Sequence, residues 1–226
     1  GPYKDKEKHI SLEVAMMFGN YVKQNMPGVE VIYTRSTDEF IGLKERAALA
    51  NRKDADLFIS IHCNAHNSSA YGTETFVMGL TREKANLDLA RTENSVIFLE
   101  DDYENKYEGY NPNDPQGAIL ARYTSNAYLD QSARFAQKIQ DQFRDRVNRF
   151  DRGVKQSVLY VLDFSAMPSV LIELGFLTNK SEEDFLNTQN GKELMASAIY
   201  RAFKEYKTEQ DELDNIDAEV VVPVKK

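Results

Sequence analysis

The chain has 226 residues, of which 42% are hydrophobic, and its formal net charge is −8. This length suits one sizeable α/β domain with a buried core. The sequence lacks the basic cluster of a nucleic-acid binder, and no apolar run approaches the roughly 18 residues of a membrane span. With Cys63 as the single cysteine, no intrachain disulfide can form. No signal peptide opens the chain, and Gly1-Pro2 is typical of a tag-cleavage remnant.

The N-terminal quarter predicts a helix followed by a β-α-β unit. Apolar residues recur at helical spacing over residues 9–24, and Pro27-Gly28 ends that helix. The β-branched stretch 29–34 predicts a strand, and residues 43–52 predict a helix. The apolar run Leu57–Ile61 then predicts a strand buried on both faces. This alternation is typical of a parallel sheet.

His62 directly follows the apolar run, with Asn64 and His66 close behind it. Ligands of open α/β sheets bind at the carboxyl ends of the strands, so His62 is placed to face such a crevice. The alternative is a hydrogen-bonded histidine at the rim of the core.

A long insertion follows the next predicted strand, residues 72–78. Residues 81–126 begin with a helical pattern and continue with acidic residues, tyrosines and prolines. Long loops inside compact domains are usually functional or disordered. The insertion is therefore either a solvated acidic loop or a segment that acts on the site.

The C-terminal half predicts a strong helix over 132–146, a turn at 151–153 and a strand at 157–162. A second buried strand, Val170–Ile172, is followed at once by Glu173. A carboxylate there is costly unless it is paired, protonated or facing water, so Glu173 is either a paired structural residue or a catalytic one. The last helix covers 194–206. We predict a catalytic domain over 1–207 and a loose acidic tail or linker over 208–226.

Three residues can carry metal chemistry. His62 and Glu173 each end a predicted buried strand, and Glu7 precedes or opens the first helix. A catalytic zinc usually takes three protein ligands from His, Glu or Asp and keeps one position for water. Metal-assisted hydrolysis also uses a nearby carboxylate as general base. These three residues match that set in part, while Glu7 by itself equally suits favourable charge at a helix N-terminus.

With these residues in place, the chain resembles the zinc-dependent N-acetylmuramoyl-L-alanine amidases that cleave peptidoglycan. The matching stretches span most of residues 6–200 and occur in the family's order. They are Lys6–Leu12, Thr34-Arg35, Leu43–Arg46, Ala50-Asn51, Ser60–Ala65, Asp151–Lys155, Tyr160–Leu162 and Met167–Asn179.

The resemblance implies a fold and a set of roles. The fold is a twisted, mainly parallel sheet with helices on both faces. Glu7 and His62 fall on zinc ligands, Glu173 falls on the catalytic carboxylate, and Asn64 is a candidate to orient His62 or substrate. The family's first strand, whose histidine is the third ligand, has no match here. We therefore expect that ligand upstream of Gly1, and a weakly occupied zinc site without it, unless His9 or His66 replaces it.

The resemblance also implies a function: hydrolysis of the amide between N-acetylmuramic acid and L-alanine, for cell-wall remodelling or daughter-cell separation. It further implies an exported protein of the periplasm or cell envelope, which we expect to be a monomer. Some similar amidases carry an inhibitory helix that an activator protein displaces, and the candidates here are Glu93, Glu100, Asp101 and Asp102. An alternative is a non-catalytic peptidoglycan-binding or regulatory module that kept the fold.

Overall fold

The computed structural model describes residues 6–107 and 127–220, with side chains through residue 216. The helices are α1 (Glu7–Asn25), α2 (Leu43–Arg52), α3 (Lys84–Asn94), α4 (Tyr103–Lys106), α5 (Leu129–Val147), α6 (Tyr160–Asp163), α7 (Lys180–Asn187) and α8 (Gln189–Val220), and a 3-10 turn covers Ser95–Leu99. The strands are β1 (Phe58–Asn64), β2 (Thr73–Met78), β3 (Asp151–Ser157) and β4 (Ser169–Phe176). None of the described helices has the length and apolar character needed to cross a membrane.

The four strands form one sheet in the order β1-β4-β2-β3. β1 is parallel to β4 and β2 is parallel to β3, while the central β2–β4 pair is antiparallel. The predicted α/β fold with a mainly parallel sheet is thereby confirmed. All eight residues of β4 are buried, which explains its continuous apolar run in a central position.

Helices cover both faces of the sheet. Successive side chains of β4 pack alternately against the helices on one face and on the other. Val170, Ile172 and Leu174 pack into one core cluster with α1, α5 and α8. Leu171 packs into a second cluster with α2, α3 and α6. Successive residues of a strand project to opposite faces, so the two clusters lie on opposite sides of the sheet. Glu173 shares the face of Leu171.

The predicted strand 29–34 is wrong, because in the described chain that segment joins no ladder. Residues of this segment and of β1 line a common cavity of about 1260 Å³. The segment therefore lies across open space from the outer edge of β1. A β-branched composition favours a strand only where a neighbouring backbone can pair with it.

The predicted strand 157–162 is also wrong, since the strand is β3 and α6 is a helical turn. β3 contains Arg152, Lys155 and Gln156 and pairs with β2 at the edge of the sheet, where polar side chains remain partly exposed. The apolar run after it is buried in the second core cluster as the turn that includes Tyr160.

The C-terminal segment continues as helix through residue 220, where a loose tail was predicted from residue 208. Polar contacts with α5 hold it there. Glu209 pairs with Arg134 and Lys138, and Gln210 accepts a hydrogen bond from Gln131. Because polar contacts hold this part of the helix, the spacing of apolar residues did not predict it. Residues 108–126 of the predicted insertion, and residues 221–226, lie outside the described residues.

Candidate metal centre and active site

The ends of β1 and β4 bring the predicted residues together. His62 lies opposite Glu173 in the β1–β4 register, and Glu74 of β2 lies opposite Glu173 on its other side. Residues opposite one another in a sheet project to the same face. His62, Glu173 and Glu74 therefore form a row across three neighbouring strands.

Two carboxylates meet the imidazole of His62. Glu7 Oε1 lies 2.8 Å and Glu93 Oε2 lies 2.9 Å from His62 Nδ1. Neither contact has hydrogen-bond geometry. The three ligand atoms lie within 4.8 Å of one another, and a histidine with two carboxylates is a donor set that zinc accepts. At Nδ1, the arrangement fits ligands around a shared cation better than a hydrogen bond to either carboxylate.

Ser60 orients the ring of His62 from the same strand face. Its Oγ lies 2.9 Å from His62 Nε2. Metal-binding histidines usually engage their second ring nitrogen in this way, which fixes the ring and the tautomer. Ser60 therefore leaves Nδ1 as the nitrogen available to a metal.

Glu7 reaches the site because it is the first residue of α1, which packs against β1. Its Oε1 also accepts a hydrogen bond from the backbone N–H of Cys63 at 3.3 Å. Its position is thus fixed by the strand that carries His62.

Glu93 reaches the site because it lies on the buried face of α3. Leu89 and Ala90, four and three residues earlier, pack into the second core cluster. The next residue, Asn94, anchors the helix end. Its amide donates to the Val158 carbonyl and its Oδ1 accepts from the Tyr160 N–H, both at 2.9 Å.

The negative charge of the site shows in its pKa values. Burial lowers the pKa of His62, but the Glu93 and Glu7 carboxylates outweigh burial and raise it well above its usual value. Burial raises the pKa of Glu7, but His62, the Cys63 N–H and Arg46 bring it below its usual value. A dication among these groups would balance the surplus negative charge.

Glu173 is fully buried, and neither oxygen of its carboxyl has a hydrogen-bond partner among the described residues. Burial raises its pKa well above the usual value, and the Glu93, Glu7 and Glu74 carboxylates add to this against the opposing effect of His62. An unpaired carboxyl that holds a proton readily, beside a candidate metal position, can exchange protons with a reacting molecule.

No hydrogen bond among the described residues joins Asn64 to His62, which it was a candidate to orient. Its amide donates to Glu74 Oε1 at 2.6 Å. Glu74 also pairs with Arg152, whose Nε lies 3.0 Å from Oε2, and with Lys155. The side chain of Asn64 therefore joins a charged cluster next to Glu173.

Of the four predicted inhibitory carboxylates, only Glu93 reaches the site. Glu100 instead accepts hydrogen bonds from the Leu43 N–H at the start of α2 and from the Tyr107 hydroxyl. A helix N-terminus attracts a carboxylate, which explains this placement. Asp101 and Asp102 are exposed.

Neither remaining histidine joins the site. His9 is exposed near Asp38, and the backbone of His66 donates to Thr178. Within the described residues, Glu93 supplies the third donor of the group instead.

Sequence reasoning missed Ser60, Glu74 and the role of Asn94. Ser60 had a signal, because it is a polar residue in an apolar strand two positions before His62, and so on the same face. Glu74 becomes part of the site only through the antiparallel pairing of β2 with β4, which the sequence did not reveal.

Comparisons with known proteins identify the family of this chain. Residues 1–205 match the family model Amidase_3, described as N-acetylmuramoyl-L-alanine amidase. The uncharacterised Bacillus subtilis protein YqiI is 34% identical over 88% of this chain and 74% of its own length. The B. subtilis N-acetylmuramoyl-L-alanine amidase LytC is 31% identical over 86% of this chain. The chain spans only 30% of the length of LytC.

A solved structure shows the same fold. The N-acetylmuramoyl-L-alanine amidase from Clostridium difficile 630 superposes with a TM-score of 0.66 at 26% identity, covering 90% of this chain and 85% of that one. The family match covers most of the chain, so the resemblance inferred from the motifs is confirmed. This chain belongs to the Amidase_3 family of N-acetylmuramoyl-L-alanine amidases.

Proposed function

We propose that the protein hydrolyses the amide bond between N-acetylmuramic acid and L-alanine in peptidoglycan. The observation that carries this proposal is the in-register placement of His62 beside Glu173, whose buried carboxyl has no partner in the described structure. Burial of a carboxyl without a hydrogen-bond partner destabilises the fold. A purely structural role therefore does not account for Glu173.

The donor chemistry supports zinc as the cofactor. Glu7 and His62 would hold it, with Glu93 as the third protein donor in the arrangement described here. When bound, zinc lowers the pKa of a water towards about 7 and polarises the amide carbonyl. Ser60 keeps the His62 ring in the orientation that exposes Nδ1.

Glu173 acts as general base and then as general acid. Its carboxylate takes a proton from the attacking water, and its carboxyl gives that proton to the nitrogen of the leaving L-alanine. Burial around Glu173 excludes bulk water, which could otherwise exchange that proton.

Glu93 holds the enzyme in an inhibited state. Its carboxylate occupies a donor position beside His62 that substrate or water must take for hydrolysis. Release requires α3 to move away, and α3 belongs to the predicted insertion over residues 81–126. An activator protein that binds the insertion would supply the free energy for that movement.

The proposed reaction also implies where in the cell the protein acts. A hydrolase of peptidoglycan must reach the cell wall, so we infer export to the periplasm or cell envelope. We further propose that the catalytic unit acts as a monomer.

The decisive test is Glu173→Gln, which keeps the shape of the side chain and removes its ability to take a proton. We expect the release of stem peptides from purified peptidoglycan to fall by about 10²–10⁴, with zinc content near that of the wild type. Glu183→Gln, another buried glutamate, is the matched control and should keep activity. Loss of zinc from Glu173→Gln would make Glu173 a ligand, and unchanged hydrolysis would refute the proposed reaction.

Glu93→Gln tests the inhibitory role separately. At saturating zinc, which offsets the weaker donor, we expect faster basal hydrolysis per bound zinc, because the blocking carboxylate is gone. Asp88→Asn, which removes the same charge from an exposed position of α3, should behave as wild type. If Glu93→Gln instead loses zinc and activity together, Glu93 is a resident ligand of the working enzyme.

A further inference from the structure

We propose that Arg152 and Lys155 form a subsite for a substrate carboxylate, on the alanine side of the scissile bond. This inference rests on the proposed function and adds a substrate preference to it. The subsite is the Glu74 cluster, which consists of Asn64, Glu74, Arg152 and Lys155.

The cluster carries a surplus positive charge. Glu74 is 3% exposed and pairs with both cations through the same oxygen, Oε2. Its other oxygen accepts from the Asn64 amide. Within residues 6–107 and 127–216, no second carboxylate pairs with Arg152 or Lys155. One negative charge therefore faces two positive charges.

The two cations are held rigidly and remain accessible. Their side chains are 31% and 19% exposed. Arg152 lies over the ring of Phe176 at 4.9 Å and also donates to the Tyr71 carbonyl. The hydrogen bonds to Glu74 and to the Tyr71 carbonyl use two of the five N–H donors of its guanidinium, so the planar fork that binds carboxylates still has free donors.

The cluster lies at the edge of the sheet where the reaction occurs. Glu74 is directly opposite Glu173, and Arg152 lies on β3, the next strand. Two strand spacings of about 4.8 Å place Arg152 roughly 10 Å along the sheet from Glu173. An extended peptide advances about 3.4 Å per residue. A carboxylate two or three residues from the scissile bond therefore matches this position, whereas that of the alanine itself falls short.

An exposed aromatic pair continues the same surface. Tyr71 and Phe150 are 51% and 53% exposed, and their ring centroids are 5.0 Å apart. Tyr71 is tied to Arg152 through its carbonyl. An apolar floor next to a cation suits a peptide with an acidic residue, because the floor supports the chain while the cation selects the charge.

The test compares two substrates that differ only in the second residue. They are N-acetylmuramoyl-L-alanyl-glutamyl-alanine amide and its glutaminyl analogue. We expect wild-type kcat/KM to favour the glutamyl substrate by about 10-fold to 100-fold, the effect of a charge-assisted hydrogen bond. In Arg152→Gln this ratio should fall to about one, and Arg152→Lys should keep part of it. Lys207→Gln, which removes the same charge from α8, should keep the full ratio.

Three outcomes would overturn the subsite. A wild-type ratio near one refutes it without any variant, even if Arg152→Gln fails to fold. A ratio that survives in Arg152→Gln assigns Arg152 a purely structural role. Two further substrates, N-acetylmuramoyl-L-alanine and its amide, test the alanine carboxylate. If the wild type prefers the first of these but does not distinguish the glutamyl from the glutaminyl substrate, the recognised carboxylate is that of the alanine and lies outside this cluster. If the wild type hydrolyses none of these substrates, the proposed function itself fails instead.

Discussion

Asn94 fixes the end of α3, the helix that we propose to be inhibitory, and Asn94→Ala should release that helix. The side chain makes two buried hydrogen bonds at 2.9 Å, to the Val158 carbonyl and from the Tyr160 N–H. Each contributes about 1 kcal/mol to the docked state, so their loss favours release of α3 by about 2 kcal/mol. That free energy corresponds to about a 30-fold increase in the released population.

The assay is dye release from labelled peptidoglycan at saturating zinc, together with hydrogen exchange of the α3 amides. We expect both the initial rate and the exchange of residues 84–94 to rise by up to about 30-fold. Thr92→Ala is the control, since its hydroxyl bonds only to the Asp88 carbonyl on the exposed side of the helix. Faster exchange without faster hydrolysis would show that α3 does not block the site. Unchanged exchange would show that Asn94 does not hold the helix.

Other substitutions probe the metal site and the core. His62→Ala should lose zinc and hydrolysis together, measured by elemental analysis and peptide release, because it removes the central donor; hydrolysis that persists would remove His62 from the ligand set. Ser60→Ala should weaken zinc affinity by about 10-fold to 100-fold in a chelator competition, since the ring of His62 loses its orienting contact. An unchanged affinity would leave Ser60 without that role. Phe143→Ala should lower the free energy of unfolding by about 3–5 kcal/mol in urea, because Phe143 is fully buried, with zinc affinity retained in the folded protein.

The sequence revealed the parts of this structure that depend on local pattern. The apolar runs before His62 and Glu173 predicted two buried strands, and the structure pairs those strands with the two residues opposite each other. Their roles as ligand and base remain predictions. Glu7 could be placed at the start of a helix, but the contact with Cys63 that fixes it depends on the packing of α1 against β1.

The parts that could not be predicted depend on contacts distant in sequence. Glu93 was one of four candidate carboxylates, and only the docking of α3 against the second core cluster selects it. Glu100 is chemically its equal, yet it binds the start of α2. The strand β3 was missed because edge strands carry polar residues, and the pairing that defines β3 lies more than 70 residues away in the chain.

Glu173 lies between Ile172 and Leu174 in a strand that is buried throughout, and its carboxyl has no partner among the described residues. An unsatisfied buried polar group costs about 1–3 kcal/mol, a large part of the 5–15 kcal/mol that keeps a typical domain folded. At Glu173, a carboxyl that the proposed chemistry needs therefore lowers the stability of the fold. Glu173→Leu should give a protein that melts at a higher temperature and no longer cleaves peptidoglycan. Selection for thermal stability alone would therefore favour replacement of Glu173, and the protein would lose its activity.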